Sequence, residues 1–150
     1  MKKRNLRMRM LCVVMAVIFI ITGINVPTVN VSAGSRTSYL KSYKKLEKKC
    51  RKKFTYSGSQ AEMTRESCEE YKLWDKELNK DYKKITKTLS KKKLKKLVTS
   101  ERKWIKKRDK TAKEDAAGWE GGSGYTMAYN ISLIEQTKSR IKWLIKYYVQ

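Results

Sequence analysis

The segment WDKELNKDY, residues 74–82, places a carboxylate and an amide among large apolar side chains. Asp75 and Asn79 are four residues apart, so a helix would put both on one face, close to Leu78 and Tyr82. Such a carboxylate could exchange protons with a substrate, or it could pair with a cation and hold helices in register. A glycosidase would need two carboxylates facing an open cleft, and no such pair is identifiable here. We therefore predict no catalytic residue and interpret Asp75 and Asn79 as a structural network.

A cation that could complete this network is Arg108, which lies one turn past Trp104 on another predicted helix. An arginine on an apolar helix face needs an anionic partner, because an unpaired buried charge is very unfavourable. Asp75 is the obvious partner if the two helices run antiparallel, and Glu101 is its competitor. We predict that Asp75 and Asn79 are largely buried, with Asp75 within salt-bridge distance of Arg108.

The first 33 residues have the order of a secretory signal. Five basic residues in MKKRNLRMRM precede the apolar run LCVVMAVIFII at 11–21, and the small-residue sequence VSA follows at 31–33. An uncleaved membrane anchor is the alternative, although the apolar run is short for a span of about 20 residues. We predict cleavage after Ala33, so that a protein beginning at Gly34 is secreted or held in the cell envelope.

Three cysteines are present, and Cys12 lies within the predicted signal. The exported chain would keep Cys50 and Cys68, an even number that favours a disulfide outside the cytoplasm. Closing this loop of about 18 residues would stabilise the fold by roughly 3 kcal/mol in the chain-entropy model. Two buried free thiols are the alternative. Because the chain contains no histidine, it cannot hold a Cys–His nucleophile pair or a His-based metal site, and we predict neither metal nor cofactor.

The chain is strongly basic, with 37 Lys and Arg against 14 Asp and Glu. Residues 91–110 alone contain eleven basic and two acidic side chains. This segment is either a solvated helix face or a basic ridge that concentrates an anionic partner, namely a wall polymer or anionic lipid headgroups. Export argues against nucleic acid as a physiological partner. The lysines predicted to form this polyanion face are Lys92, Lys95, Lys96, Lys103 and Lys107.

Apolar residues recur every three to four positions through most of the exported chain, which predicts amphipathic helices. No segment alternates strictly enough to predict a strand. We expect an all-α fold: a small antiparallel bundle of about four helices, or a long helical hairpin with flanking helices. The predicted elements are a helix over 36–53, a turn at 55–60, a helix with apolar residues from Met63 to Leu89, a helix capped by Ser90 and ended by the glycines of 118–124, and a helix over 125–148 that buries Met127, Ile131, Ile134, Ile141, Leu144 and Tyr148.

Five short segments occur in the order and spacing of one known family. They are QAEMTRESC at 60–68, WDKELNKDY at 74–82, SERKWIKKRD at 100–109, GGS at 121–123 and TKSR at 137–140. Together they resemble the lysozyme inhibitor LprI-like domain family, small exported bacterial domains, over about residues 60–144. The positions that carry the resemblance are Cys68, Asp75, Leu78, Asn79, Tyr82, Trp104, Arg108, Asp109, Gly122, Ser123 and Arg140.

The chain also departs from the family pattern. Members commonly carry further cysteines where this chain has Ala112 and Ser132, so the resemblance leaves Cys50 as the partner of Cys68. Glu101 stands where glutamine is frequent. The implied organisation is a signal at 1–33, an N-terminal helix and turn at 34–59, and an LprI-like helical domain at 60–150.

The resemblance implies an exported, non-enzymatic binding module of the cell envelope that blocks a lysozyme or another muramidase. The alternative is a basic adaptor for anionic wall polymers or lipid headgroups. Long-range charge opposes the first hypothesis, because animal lysozymes are themselves basic. A local fit could still form if a lysine or a loop hydroxyl met the catalytic carboxylates of a lysozyme cleft.

Overall fold

A computed structural model of the chain describes residues 35–149; the predicted signal at 1–33, with Cys12, lies outside the described residues. The described part consists of helices and their connections, and no strand occurs within it. The prediction of an all-α fold with four helices is confirmed. The helices are α1 (Arg36–Lys53), α2 (Gln60–Thr86), α3 (Lys91–Ala116) and α4 (Tyr125–Tyr148), with a 3-10 turn at Ala117–Trp119 between α3 and α4.

The helix boundaries follow from local sequence. Ser59 and Glu62 form a capping box at the start of α2, in which each side chain accepts a hydrogen bond from the other residue's backbone N–H. The Ser90 side chain caps α3 as predicted. Between α1 and α2, Tyr56 and Gly58 adopt positive φ angles of 52° and 108°, which turn the chain back on itself.

The most apolar helix, α4, lies at the centre of the bundle, with nine of its residues buried. Its contacts with α2 run in the same chain direction, because Asn130 lies against Ser67 and Lys138, two turns later, lies over the Trp74 ring. The two helices are therefore parallel.

Helix α3 lies antiparallel to the same central helix. Gln136 of α4 donates a hydrogen bond to the Arg108 carbonyl, and Arg140, one turn later, reaches back to Glu101. The predicted pairing of Asp75 with Arg108 required α2 and α3 to lie against each other, but both helices pack mainly against α4. Four apolar faces of unequal strength bury the most area when the most apolar helix occupies the centre.

Helix α1 lies antiparallel to α2, with the Ser42 hydroxyl donating to Glu77 at 2.7 Å and the Tyr43 ring 5.1 Å from the Trp74 ring. The opposite side of α2 faces α3, where Arg108 lies over the Tyr71 ring. Helices α1 and α3 therefore flank the α2–α4 pair on opposite sides. None of the described helices is long and apolar enough to cross a membrane.

The core joins all four helices, but it does not include Ile131 or Met127, which the periodicity assigned to it. Ile131 is 38% exposed, whereas Asn130 and Leu133 are buried in its place. Ile134, Ile141 and Leu144 are buried as predicted, and polar Asn130 is buried with them because it finds hydrogen-bond partners on α2. The fully buried large side chains include Trp74, Ile85, Leu97, Ile141, Leu144 and Ile145.

Candidate functional site

Polar residues of the family pattern meet along the seam between α2 and α3. Asn79 Nδ2 donates to Asp75 Oδ2 at 3.0 Å and to the Asp75 carbonyl at 2.8 Å, so the amide orients the carboxylate within one helix. Across the seam, Arg108 Nε and Nη2 donate to Asp109 Oδ1 at 2.9 and 2.8 Å. The Arg108 guanidinium also lies 5.1 Å from the centroid of the Trp104 ring.

The predicted salt bridge between Asp75 and Arg108 is wrong. No N–O pair of these two residues lies within 4.0 Å, and Asp75 and Asn79 are half-buried rather than buried. Arg108 instead finds its carboxylate on the next residue of its own helix. Burial raises the pKa of the Asp75 carboxyl, and the positive charge of Arg108 partly offsets this effect.

The seam therefore presents two carboxylates that are not fully withdrawn from solvent, Asp75 and Asp109, on either side of a buried guanidinium. This arrangement can accept hydrogen bonds from a cationic or amide group of a partner. Two other residues of the family pattern have packing roles here: Leu78 is buried in the core, and half-buried Tyr82 lies close to Glu101.

Asp75→Ala is expected to lower the free energy of unfolding by only about 1–2 kcal/mol, because it removes one partly solvated hydrogen bond rather than half of a buried ion pair. Urea unfolding of the parent, Asp75→Ala and Asp75→Asn would measure this loss. A loss above about 3 kcal/mol for the alanine variant would restore the interpretation of a buried network. A folded Asp75→Ala protein would also make any loss of binding directly interpretable.

A buried ion pair does exist in the bundle, between Arg140 and Glu101. Arg140 Nε and Nη2 donate to Glu101 Oε2 at 3.0 and 2.8 Å, and Nη2 also donates to the Ser100 hydroxyl at 3.0 Å. The guanidinium lies 4.0 Å from the centroid of the Trp143 ring. Burial raises the pKa of the Glu101 carboxyl although Arg140 counteracts the effect. Glu101, which we considered as a competitor for Arg108, instead holds α3 against α4.

Three buried carboxyl groups of α2 were missed by the sequence analysis: Glu70, Glu77 and Asp81. Glu70 accepts hydrogen bonds from Trp74 Nε1 at 3.0 Å and from the Tyr56 hydroxyl at 2.6 Å. Asp81 is 1% exposed, and its Oδ2 has no hydrogen-bond partner. Burial, followed by the negative charge of Glu77, raises the pKa of Asp81 to about 7. Glu70 lies four residues before Trp74, and Asp81 lies seven residues after it. This helical spacing places both carboxyl groups on the buried face of α2, so it could have identified them from the sequence.

The predicted Cys50–Cys68 disulfide is not formed in the structure, where both cysteines are free. Cys50 lies on the buried face of α1, and burial raises the pKa of its thiol to about 11. Cys68, half-buried on α2, accepts a hydrogen bond from Asn130 Nδ2 at 3.1 Å and so faces α4. The two thiols belong to different contacts, which is the physical reason that they are not paired.

The five lysines of the predicted polyanion face are all exposed on α3. Lys95, Lys96 and Lys103 line a surface hollow together with Thr99 and Ser100. The Ser100 hydroxyl joins this hollow to the buried Arg140 beneath it. A hollow with three ammonium groups and two hydroxyl groups has the donors that phosphate or carboxylate groups require. No group of three potential metal-ligating residues occurs within residues 35–149.

The Gly-Gly-Ser segment forms an exposed turn between α3 and α4. The Gly122 N–H donates to the Trp119 carbonyl at 3.0 Å, and Gly121 has a φ of +77°. Gly124 lies directly under the Trp119 ring, since a Cβ there would approach ring atom Cε3 to 2.7 Å. This close approach holds Trp119 at the surface, where it is 54% exposed beside exposed Ser123.

This turn lies at an end of the bundle whose local charge differs from that of the chain. The start of α2 shares this end, because Gln60 Nε2 lies 3.7 Å from Met127 Sδ at the start of α4. Residues 60–70 and 109–124 together contain eight acidic and three basic side chains. Lys53, at the end of α1, neutralises Glu69 through a 2.9 Å ion pair. The last turn of α1 adds Arg51 and Lys52 to the same end, so the exposed tryptophan lies in a region of mixed charge, next to Glu120.

Comparison with known proteins identifies the family. The family model described as "Lysozyme inhibitor LprI" matches residues 50–144, well over half of the chain and the whole of α2, α3 and the turn between α3 and α4. No curated protein and no solved structure gives a significant match. The matched region includes the seam, the buried Arg140–Glu101 pair and the turn. This chain therefore belongs to the lysozyme inhibitor LprI family.

Proposed function

We propose that this protein is an exported, non-enzymatic binding protein of the cell envelope that inhibits a lysozyme or a related muramidase. The observation that carries the proposal is the family match over residues 50–144. The described residues support a binding role, because the partly exposed carboxylates Asp75 and Asp109 lie on either side of the Arg108 guanidinium and can accept hydrogen bonds from a partner. The order of residues 1–33 supports export.

The turn between α3 and α4 is the surface best suited to meet a lysozyme. Exposed aromatic residues dominate the binding energy of many protein interfaces, and the exposed Trp119 ring packs over Gly124. Glu120, next to Trp119, gives the turn a local negative charge that would attract a basic lysozyme although the whole chain is cationic. Ser123, exposed at the tip, could reach the catalytic carboxylates.

Trp119→Ala is expected to weaken lysozyme inhibition at least about tenfold, because the loss of a central aromatic contact typically costs over 1.4 kcal/mol of binding. The assay measures how fast a basic animal lysozyme clears a peptidoglycan suspension. The protein beginning at Gly34 is added at increasing concentrations to give the strength of inhibition. Tyr147→Ala is the matched control, since Tyr147 is an equally exposed aromatic residue, 60%, at the other end of α4.

A second variant tests the same surface without touching the tryptophan. Ser123→Arg places a large side chain at the exposed tip and should block insertion while leaving the helices intact. Inhibition by the parent should persist at moderate salt, because it depends on a steric fit. If both loop variants inhibited as well as the parent, the turn would not be the contact surface. Failure of the parent to inhibit lysozymes of several classes would reject the function itself.

A second candidate function is that of a basic adaptor for anionic polymers or headgroups of the envelope. The observation that favours it is the exposure of all five predicted lysines on α3, three of them around one hollow. None of these five forms an ion pair within the described part of the chain. Their charge therefore stays available to an external anion, and such binding should weaken steeply with salt.

A further inference from the structure

Helix α1 carries a straight row of lysines on the face opposite its buried side. Lys41, Lys45, Lys48 and Lys52 are separated by four, three and four residues, and all four are exposed. The buried side of this helix holds Tyr39, Tyr43 and Cys50. At 1.5 Å rise per residue the row extends about 16 Å, with one ammonium group per helical turn. We call these four residues the α1 row.

The charge of the α1 row is not neutralised by the protein. Residues 36–53 contain nine basic residues and one acid, Glu47, which is partly buried and lies within hydrogen-bond distance of the Tyr43 hydroxyl. No carboxylate of residues 35–149 lies within 4.0 Å of the ammonium groups in the row, whereas Lys53 at the helix end pairs with Glu69. Four unpaired ammonium groups in line give a potential that attracts repeated anions.

The chemistry of the row fits a linear phosphate polymer better than a lipid surface. A helix that binds a membrane interface inserts its apolar face, and the apolar face of α1 is already packed against α2 and α4. The exposed large apolar residue of α1 is Leu40, at 37%, and it does not belong to the row. A flexible chain with regularly spaced phosphates can place one phosphate near each ammonium group.

The position of α1 in the bundle determines the direction in which the α1 row faces. It lies on the opposite side of the α2–α4 pair from α3, so the α1 row and the polyanion face of α3 point in different directions. We propose that the α1 row is a second phosphate-polymer-binding face, and that the two faces allow one molecule to bridge two polymer strands. The bridging half of this inference rests on the second candidate function, and the α1 row by itself does not.

The test uses the chain from Gly34 onward with long-chain inorganic polyphosphate as the probe. Binding is measured by fluorescence anisotropy as a function of salt, and bridging is measured by light scattering. Three variants are compared with the parent: the α1 row changed to glutamine, the α3 lysines changed to glutamine, and both sets changed together. The matched control replaces Lys72, Lys76, Lys83 and Lys113 by glutamine, which removes the same charge as the α1 variant from exposed positions on α2 and α3.

We expect each single-face variant to bind polyphosphate but to lose light scattering, and the combined variant to lose both. The slope of log affinity against log salt should fall by about 3 when four phosphate contacts are removed. The control should bridge like the parent. Bridging that survives in the α1 variant, or is lost equally in the control, would overturn the proposal.

Two further outcomes separate the component claims. If the α3 variant bridges like the parent while the α1 variant does not bind, the α1 row stands, but both the adaptor function of α3 and bridging through two faces fail. If the parent binds vesicles of phosphatidylglycerol but not polyphosphate, the ligand is a membrane and the proposed polymer is wrong. Circular dichroism should show unchanged helicity in every variant, because all the substituted side chains are exposed.

Discussion

Replacing Arg140 by alanine is expected to lower the free energy of unfolding by about 3–5 kcal/mol, a large part of the stability of a small domain. The substitution removes three hydrogen bonds to Glu101 and Ser100, and it leaves the Glu101 carboxylate buried without its cation. It also removes the guanidinium from the Trp143 ring. Urea unfolding monitored by circular dichroism at neutral pH would measure the change.

The control for this prediction lies on the other partner of the pair. Glu101→Gln keeps an acceptor for the Arg140 guanidinium, so we expect it to destabilise the fold much less than Glu101→Ala. A double-mutant cycle on the two alanine substitutions should return a favourable coupling energy above about 1 kcal/mol. Additive losses would show that the two side chains stabilise the bundle independently, contrary to the geometry of the pair.

We expect the free energy of unfolding of the parent protein, measured relative to that of an Asp81→Asn variant, to fall as the pH rises from about 5 to 8. The folded-state pKa of Asp81 is about 7, above the ordinary value of 3.8, so the folded protein holds this proton more tightly than the unfolded chain. Stability from this group is therefore greatest at low pH and is lost as the pH rises between these two values. For a shift of this size the loss between pH 5 and 8 amounts to roughly 2–3 kcal/mol.

The environment of Asp81 explains the direction of this pH dependence and the choice of asparagine as the control. Glu77 disfavours its ionised form, whereas Lys80 and Lys84 only partly compensate, and the Tyr39 ring of α1 covers the site. Asparagine has nearly the same shape as the protonated acid and cannot ionise, so comparison with Asp81→Asn cancels the titration of all other carboxyl groups. Equal pH dependence of the two proteins would show that Asp81 is ionised in the fold.

Helix existence and limits were largely predictable because they depend on local interactions. The spacing of apolar residues, the Ser90 cap and the glycine cluster located all four helices, and α1 and α4 agree with their predicted limits. The second helix ends at Thr86, before the predicted Leu89, because the chain must turn before Ser90 can cap the next helix.

The pairing of polar residues was less predictable, because it depends on which helices become neighbours. Arg108 was correctly expected to need a carboxylate, but a single sequence does not distinguish Asp75 from adjacent Asp109. The same limit applies to Cys50 and Cys68. Their spacing in the sequence permits a disulfide, but the two thiols are free in the structure, where Cys68 faces α4. The turn containing Gly122 and Ser123 was recognised, but the exposure of Trp119 was not.

The sequence by itself determined the helical class, the basic character and the family, since each of these is a property of residue order and composition. Only the tertiary structure decided that α4 occupies the centre, that Arg140 pairs with Glu101, and that Asp81 is buried without a partner for Oδ2. The physical reason is that amphipathic periodicity specifies which face of a helix is buried, but not which helix covers it. Which helices become neighbours depends on the apolar area buried and the polar groups paired in the whole bundle. No local segment of the sequence contains this information.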